Sequence, residues 1–566
     1  MMRKHVCLFF MLASFAVIAT ANPRTWQQKV NIAAAALGQN TATAKSHGGT
    51  PRALKALKSA SALSVIGYED GGFAIVSNDD QAAPLVGYSS GTFDEASNPG
   101  LRWFLAAADE VLSSAAQPVK VVAPSQYEGL KPEVGPLVKS TWNQGYPYNL
   151  LTPTYGTNKA HYVTGCVATA MAQVMYFHQY PSRGRNIHTY SFTPSNGENL
   201  KLTVDYGQET YDWSLMTDAY TGGESEASKL EVAKLMYDAG VSCSMQYNED
   251  GSGAYTYEAA NALVEYFNYN ENLQLYTRRA YSEGLWMRKI FTEIDAGRPI
   301  MYAGADVASG GHEFVLDGYN ADGFVHINWG WGSTADGYFD IALLNPTGFQ
   351  FSVGQEMVMG IATPETAIAG ETQLFCNGDV AYTPSTVTPD VMAVNGTVMN
   401  IGRSRYTGPM AVVLADESGS QQVVKYFTNA SKRGSDTPVD YDLFHNNSAS
   451  LTIRTLRYGD ILSEKPDGTY RIFIATRAGE VWSPVHAPAG KVNSTLIVKS
   501  GANYTLASDT DDMWMFGASS TATGISSVRP AAKAPATDAV YNLAGQRVGA
   551  GYKGIAIRNG RKVLVR

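Results

Sequence analysis

A cysteine at the predicted start of a helix is the residue of this 566-residue chain best placed for nucleophilic chemistry. Cys166 follows Gly165, and apolar residues then recur at Val167, Ala170 and Val174, a spacing that predicts a buried helix from the cysteine onwards. The free amides and the positive dipole end of a helix stabilise a thiolate, the nucleophilic form of cysteine. The position therefore predicts a reactive thiol.

A histidine and an asparagine further along the chain have the residue types that activate such a thiol. His312 leads a predicted strand, and Asn328 follows the next strand after a turn at 320–323. We expect these antiparallel neighbours to bring the imidazole beside the asparagine amide. An amide bonded to one ring nitrogen orients the other towards a thiol, and Trp329 would shield that hydrogen bond from water.

Metal and cofactor chemistry is not favoured by the spacing of the remaining residues. His161, Cys166 and His178 lack the paired spacing of zinc ligands. The loop at 247–254 does not fit a calcium loop, because glycine at position six and glutamate at position twelve do not occur in one register. A glycine-rich phosphate loop is also missing from the sequence. We therefore expect neither a metal nor a cofactor.

Three sequence blocks resemble one known family. The segments 164–175, 310–319 and 328–332 closely resemble the streptopain family of bacterial papain-like cysteine peptidases, peptidase family C10. Residues 72–80 look like the propeptide of that family. The resemblance implies a papain-like fold of two subdomains, a Cys–His dyad and synthesis as an inactive zymogen. Protein or peptide substrates would then be the partners, with the protein's own propeptide as intramolecular inhibitor.

The resemblance also implies a role for each matching residue. Cys166 would be the nucleophile that forms a thioester acyl-enzyme, and His312 would be the general base and acid. Asn328 and Trp329 would orient the histidine. Gln144, within the block at 140–149, would donate its side-chain N–H to the oxyanion beside the backbone N–H of Cys166.

Composition and charge exclude several other classes of protein. The 43 Lys and Arg against 51 Asp and Glu give a net charge of −8, so no polycationic surface for nucleic acid is visible. Four cysteines exclude a disulfide-stapled scaffold. Three of them, Cys166, Cys243 and Cys376, lie beyond a predicted signal, and an odd number in an exported protein favours a free thiol.

The two ends of the chain predict export. Residues 1–21 combine a basic start, an apolar run and an Ala-Thr-Ala cleavage site, which is typical of a secretory signal. No later run of 18 or more apolar residues predicts a transmembrane segment. The tail carries two hairpin patterns, one around Asn559-Gly560, and resembles the sorting modules of the type IX route. We expect a secreted or cell-surface protein.

The predicted architecture is α+β with an all-β extension. Its expected parts are the signal (1–21), a propeptide domain (22–125), a papain-like peptidase domain (126–362), an immunoglobulin-like β-sandwich region (363–517) and a linker with a sorting tail (518–566).

Two alternatives stay open at this point. One is a papain-fold acyl transferase resembling a transglutaminase, although that class favours an aspartate in the place of Asn328. The other is a non-catalytic surface adhesin that binds through its β region.

Overall fold

The computed structural model divides the chain into two compact units, Met1–Glu371 and Thr372–Arg566. The predicted signal at 1–21 and the predicted linker at 518–539 lie outside the described residues. Among the described helices, none has both the length and the apolar character needed to cross a membrane. The described ranges are 22–38, 53–114, 123–306, 310–344, 354–368, 373–428, 431–435, 437–478, 481–485, 487, 491, 493–509 and four short terminal strands.

The first unit combines helices with one large sheet and two small ones. Its helices are α1 Trp26–Gly38, α2 Pro99–Ser113, α3 Cys166–His178, α4 Glu226–Ser242, α5 Thr256–Glu265 and α6 Glu283–Asp295. Its strands are β1 Lys55–Ser59, β2 Leu63–Gly67, β3 Phe73–Ser77, β4 Leu85–Ser89, β5 Thr154–Tyr155, β6 Ala160–His161, β7 Ile187–Phe192, β8 Leu200–Asp205, β9 Gln274–Thr277, β10 Ile300–Asp306, β11 Gly310–Tyr319, β12 Val325–Asn328, β13 Gly337–Phe339 and β14 Glu356–Met359.

The helices begin and end where local sequence signals place them. At α2 the Asn98 side chain accepts a hydrogen bond from the Leu101 N–H, and Pro99 occupies the first turn. After α6 the chain turns at Gly297, whose φ of 77° is left-handed. The helix predicted to begin at Cys166 is confirmed as α3.

One ten-stranded sheet joins the propeptide segment to the peptidase segment. Its strand order is β1-β2-β3-β4-β13-β12-β11-β10-β14-β9. The junction is the antiparallel pairing of β4 with β13, in which Tyr88 lies opposite Tyr338 and their rings stack at 5.5 Å. Within this sheet β2 and β3 form an antiparallel hairpin, with Leu63 opposite Ser77.

The main core of this unit lies between α3, α4, α5 and one face of the sheet. Residues Val167 to Met175 of α3 are all buried, and Met171 belongs to the same apolar cluster as Met301 and Val315 of the sheet. This packing fixes the first residue of α3, Cys166, against β11.

The second unit is an all-β region, as predicted. One sheet contains β15, β16, β17 and β22, and the other contains β18–β21 and β23–β26. Val394 and Ile453 from the first sheet share one core with Val412 and Ile474 from the second. The bounds are β15 Leu374–Cys376, β16 Ala381–Pro384, β17 Val391–Asn400, β18 Tyr406–Ala415, β19 Gln421–Thr428, β20 Ser431–Ser435, β21 Asp440–Leu443, β22 Ser448–Arg457, α7 Gly459–Leu462, β23 Gly468–Ala478, β24 Val481–Pro484, β25 Ser494–Ser500 and β26 Asn503–Ser508.

Both hairpin patterns in the tail are confirmed. The strands β27 Val540–Asn542 and β28 Arg547–Val548 pair with each other, as do β29 Gly554–Arg558 and β30 Arg561–Val565.

Candidate active site

Cys166 is the first residue of α3, and a glycine determines how the chain reaches it. Gly165 has a φ of 89°, a left-handed conformation that glycine adopts without strain. A Cβ on Gly165 would lie 2.7 Å from Met245 Sδ and 2.9 Å from the Ser252 carbonyl oxygen. Only glycine satisfies both the backbone angle and this close contact, which explains the Gly-Cys pair.

The surroundings of Cys166 disfavour the thiolate form. Burial raises its pKa to about 11, and the Glu313 backbone N–H, which donates to the sulfur, opposes that rise. Loss of solvent thus acts against the helix N terminus, which on its own would favour the thiolate. A second group is required to activate the nucleophile.

His312 lies on β11 with its ring buried. Its Nε2 is 3.1 Å from the Trp329 carbonyl oxygen and 3.3 Å from Trp331 Nε1. Burial lowers the pKa of His312 to about 4, against the opposing effect of the hydrogen bond to the Trp329 carbonyl. The neutral imidazole is therefore favoured, and the tautomer with its proton on Nε2 donates that proton to the Trp329 carbonyl oxygen.

Asn328 ends β12, but its amide bonds to other groups than the histidine. Its Oδ1 accepts from Gln173 Nε2 at 3.1 Å and from the Gly330 N–H at 3.0 Å. Its Nδ2 donates to the Ser140 carbonyl oxygen at 2.8 Å. The register pairs Asn328 with Val315, three residues beyond His312. The sequence predicted that the Asn328 amide lies beside the imidazole of His312. In this conformation the carbonyl of Trp329 lies there instead.

Trp329 is fully buried in an aromatic cluster. Its indole N–H donates to the Ala335 carbonyl oxygen at 3.2 Å, and its backbone N–H donates to Asp336 Oδ1 at 2.9 Å. Phe314 packs on its ring at 4.8 Å. These contacts fix the carbonyl that holds His312, so Trp329 positions the ring through its backbone.

Gln144 carries a side-chain donor that the fold leaves available. The residue is buried, and its Nε2 has no hydrogen-bond partner among the described residues. Its carbonyl oxygen accepts from the Thr164 N–H at 3.1 Å, which ties it to the segment just before Cys166. A buried N–H without an acceptor, placed next to the nucleophile segment, is suited to an oxyanion.

Helix α2 of the propeptide segment lies directly on the histidine. A Cβ on Gly100 would be 2.4 Å from His312 Cδ2 and 2.5 Å from Trp329 Cε3. On the facing strand, a Cβ on Gly304 would be 2.3 Å from Trp103 Cη2. The two glycines thus allow α2 to approach β10 and β11 as closely as backbone permits.

Sequence reasoning missed two residues that bind the predicted ones. Gln173 of α3 accepts from Ser140 Oγ at 3.0 Å and also bonds to Asn328, so it links three segments of the site. Gln173 could have been found from the sequence, because it is a polar residue on the buried face of a predicted helix. Trp331, next to the recognised Asn-Trp pair, contacts His312. No group of three or more metal-ligating side chains occurs in the part of the chain that the structure describes.

Comparisons with known proteins show which family the chain resembles. A family profile described as the Peptidase C10 family matches residues 142–339, and one described as Spi protease inhibitor matches residues 21–112. Streptopain of Streptococcus pyogenes is 34% identical over 310 residues, which is 51% of this chain and 76% of streptopain. The thiol protease/hemagglutinin PrtT of Porphyromonas gingivalis is 34% identical over 315 residues, which is 52% of this chain and 36% of that protein.

A solved structure extends the likeness to the fold. The fragment of prointerpain A from Prevotella intermedia is 40% identical, covers 55% of this chain and 99% of that chain, and superposes with a TM-score of 0.51. The chain belongs to the peptidase C10 family and is thus a cysteine-type endopeptidase with a propeptide domain. The family resemblance inferred from the sequence blocks is confirmed.

Proposed function

We propose that the protein is a secreted endopeptidase, made as a zymogen, in which Cys166 and His312 form the catalytic dyad. The observation that carries this proposal is that both residues meet at strand β11: His312 lies on it, and Cys166 is hydrogen-bonded to it. The sulfur of Cys166 accepts from the backbone N–H of Glu313, the residue that follows His312 on β11. Loss of the α2 contact would free the imidazole to take the thiol proton, giving a thiolate–imidazolium pair.

The reaction then follows from the groups present. The thiolate adds to the substrate carbonyl carbon, and the oxyanion accepts hydrogen bonds from Gln144 Nε2 and the Cys166 N–H. His312 gives its proton to the leaving amine as the C–N bond breaks, which leaves a thioester on Cys166. A water molecule, deprotonated by His312, hydrolyses the thioester. Trp329 orients the imidazole through its carbonyl, and Asn328 would take the same role once the ring is released from that carbonyl.

Replacement of Gln144 by alanine is expected to lower kcat by about 10²–10³-fold with a smaller change in KM, the usual effect of losing one oxyanion donor. Steady-state hydrolysis of a fluorogenic peptide by the activated enzyme measures it. Asn143→Ala is the matched control, because Asn143 Oδ1 accepts the neighbouring Gln144 N–H and its loss tests the loop without removing the Gln144 amide. Equal losses in both variants would argue that Gln144 acts through loop structure.

The zymogen proposal rests on α2. This helix holds the His312 ring against the Trp329 carbonyl, and burial disfavours both the thiolate and the imidazolium, so the reactive ion pair is not formed. The propeptide at 22–125 would then act as an intramolecular inhibitor of the peptidase domain at 126–362. Removal of the propeptide would also free β13 from β4.

Export and domain limits complete the proposal. The signal at 1–21 would direct secretion, the β-sandwich region would span 363–517, and the segment 518–566 would act as a linker with a type IX sorting tail. N-terminal sequencing of the protein recovered outside cells, from wild type and from Cys166→Ala, tests both points. We expect Asn22 as the first residue of the unprocessed variant.

One assay separates the peptidase from an acyl transferase. The activated enzyme is incubated with a peptide substrate in the presence of an added acceptor amine. Release of the new amine and carboxyl termini, with no acceptor adduct by mass spectrometry, supports hydrolysis. An adduct as the main product would identify a transferase, and no turnover at all would identify a binding protein.

A further inference from the structure

Glu313 carries a buried carboxyl group that the dyad does not use. The residue is only 2% exposed, and its Oε2 accepts a hydrogen bond from Thr256 Oγ1 at 2.7 Å. Its Oε1 has no hydrogen-bond partner among the described residues. Since a buried acceptor without a donor is costly, this oxygen is available to a donor on a ligand.

The carboxyl group continues a row of side chains across the sheet. Glu313 lies opposite Ala303, and Ala303 lies opposite Glu356, so all three side chains share one face. This is the face on which α3 packs, because the next row inwards, Val315 and Met301, belongs to the core around α3. The row therefore lies near Cys166, the residue at which α3 begins.

Ala303, in the middle of this row, is half-buried, so part of its surface is accessible although it lies between two glutamates. Its methyl group is the smallest side chain of the row. Glu356 is also half-buried, and its pKa is raised by burial, against the opposing charge of Arg279. Burial likewise raises the pKa of Glu313 to about 8. A cation bound nearby would stabilise the ionised form of both carboxyl groups.

The side of β11 on which this row lies indicates which part of a bound substrate it would contact. Successive residues of β11 point to opposite sides, so His312 and Glu313 face different ways. The leaving amine takes its proton from His312 and departs on the histidine side. The carboxyl row then faces the acyl portion, the part that becomes attached to Cys166.

We propose that Glu313, Glu356 and Thr256 form a specificity pocket, the acidic pocket, which binds the guanidinium of a substrate arginine on the acyl side of the scissile bond. The planar guanidinium offers several N–H donors and a charge, which match an unpaired carboxylate oxygen and a second carboxyl group. The inference rests on the proposed function, because it places the pocket beside the same nucleophile.

The test uses the full chain after its own activation. Internally quenched peptides carry arginine or citrulline, which has nearly the same shape without the charge, at each of the four positions before the scissile bond. We expect kcat/KM to be about 10- to 100-fold higher for arginine at one position. In Glu313→Gln that ratio should fall to near one, and in Glu283→Gln, a half-buried glutamate outside the pocket, it should keep its wild-type value.

Two results would overturn the inference. One is a wild-type ratio near one at every acyl-side position, and the other is an unchanged ratio in Glu313→Gln. If that variant does not accumulate as folded protein, Glu356→Gln takes its place, and an unchanged ratio there has the same meaning. Cleavage of the citrulline peptides by the wild type reports the proposed function separately, since it needs Cys166 but no cation.

Discussion

Replacement of Cys166 by alanine is expected to lower kcat/KM for peptide hydrolysis by about 10⁵–10⁶-fold, as loss of a catalytic nucleophile does. Alanine removes the sulfur that would attack the carbonyl carbon, and no other described thiol takes its place, because Cys243 and Cys376 are buried. The fold should be retained, since alanine is smaller than cysteine and favours the first turn of α3.

The measurement is the initial rate on a fluorogenic peptide, with circular dichroism to confirm folding. Cys376→Ala is the matched control, because that residue lies in β15 of the second unit and has no role in the dyad. It should keep wild-type activity. Residual hydrolysis above about 1% in Cys166→Ala would place the nucleophile elsewhere in the chain.

Replacement of Gly100 by alanine is expected to raise the activity of the uncleaved precursor about 10- to 100-fold. The new Cβ would overlap His312 and Trp329, and overpacking of this kind typically costs about 1–3 kcal/mol. Alanine also favours the helical conformation of α2 by about 1 kcal/mol relative to glycine. A weaker contact between α2 and His312 would therefore not result from a less stable helix. The clash itself must therefore push α2 off the site.

The effect is measured as the initial rate of freshly purified precursor and as the lag before its self-processing. Gly38→Ala, at the end of α1 in the same propeptide segment, is the control, because a Cβ there meets no atom within 4 Å. It should leave both quantities unchanged. If the Gly100→Ala precursor has the same low initial rate as the wild-type precursor, α2 has no role in holding His312.

Local patterns were sufficient to predict the elements that carry the site. The apolar spacing after Cys166 predicted α3, and the structure adds that Gly165 before it has a left-handed φ of 89°. The strands around His312 and Asn328 were predicted together with the turn between them at 320–323. Gln144 was identified by resemblance, and its unpaired Nε2 adds a physical reason that sequence could not supply.

Long-range contacts were not predictable from these patterns. The Trp329 carbonyl reaches His312 because β11 and β12 pair in one particular register, with Val315 opposite Asn328. A shift along the strands would have brought the asparagine to the ring instead. The close approach of α2 to the sheet depends on Gly100 and Gly304, which lie about 200 positions apart. Only the folded structure shows that these two glycines contact the same packing interface. The pairing of β4 with β13 likewise depends on the whole sheet.

Alkylation of the three cysteines outside the predicted signal tests the central claim, that release of α2 from His312 turns a neutral thiol into a reactive thiolate. Precursor and trimmed enzyme are treated with iodoacetamide across pH 5–9, and each cysteine is quantified by mass spectrometry. We expect Cys166 of the trimmed enzyme to react rapidly at pH 6, as a histidine-paired thiolate does. In the precursor, where its pKa is about 11, it should react slowly and faster with each increase in pH. Equal rates for Cys166 in both forms at pH 6 would contradict the account.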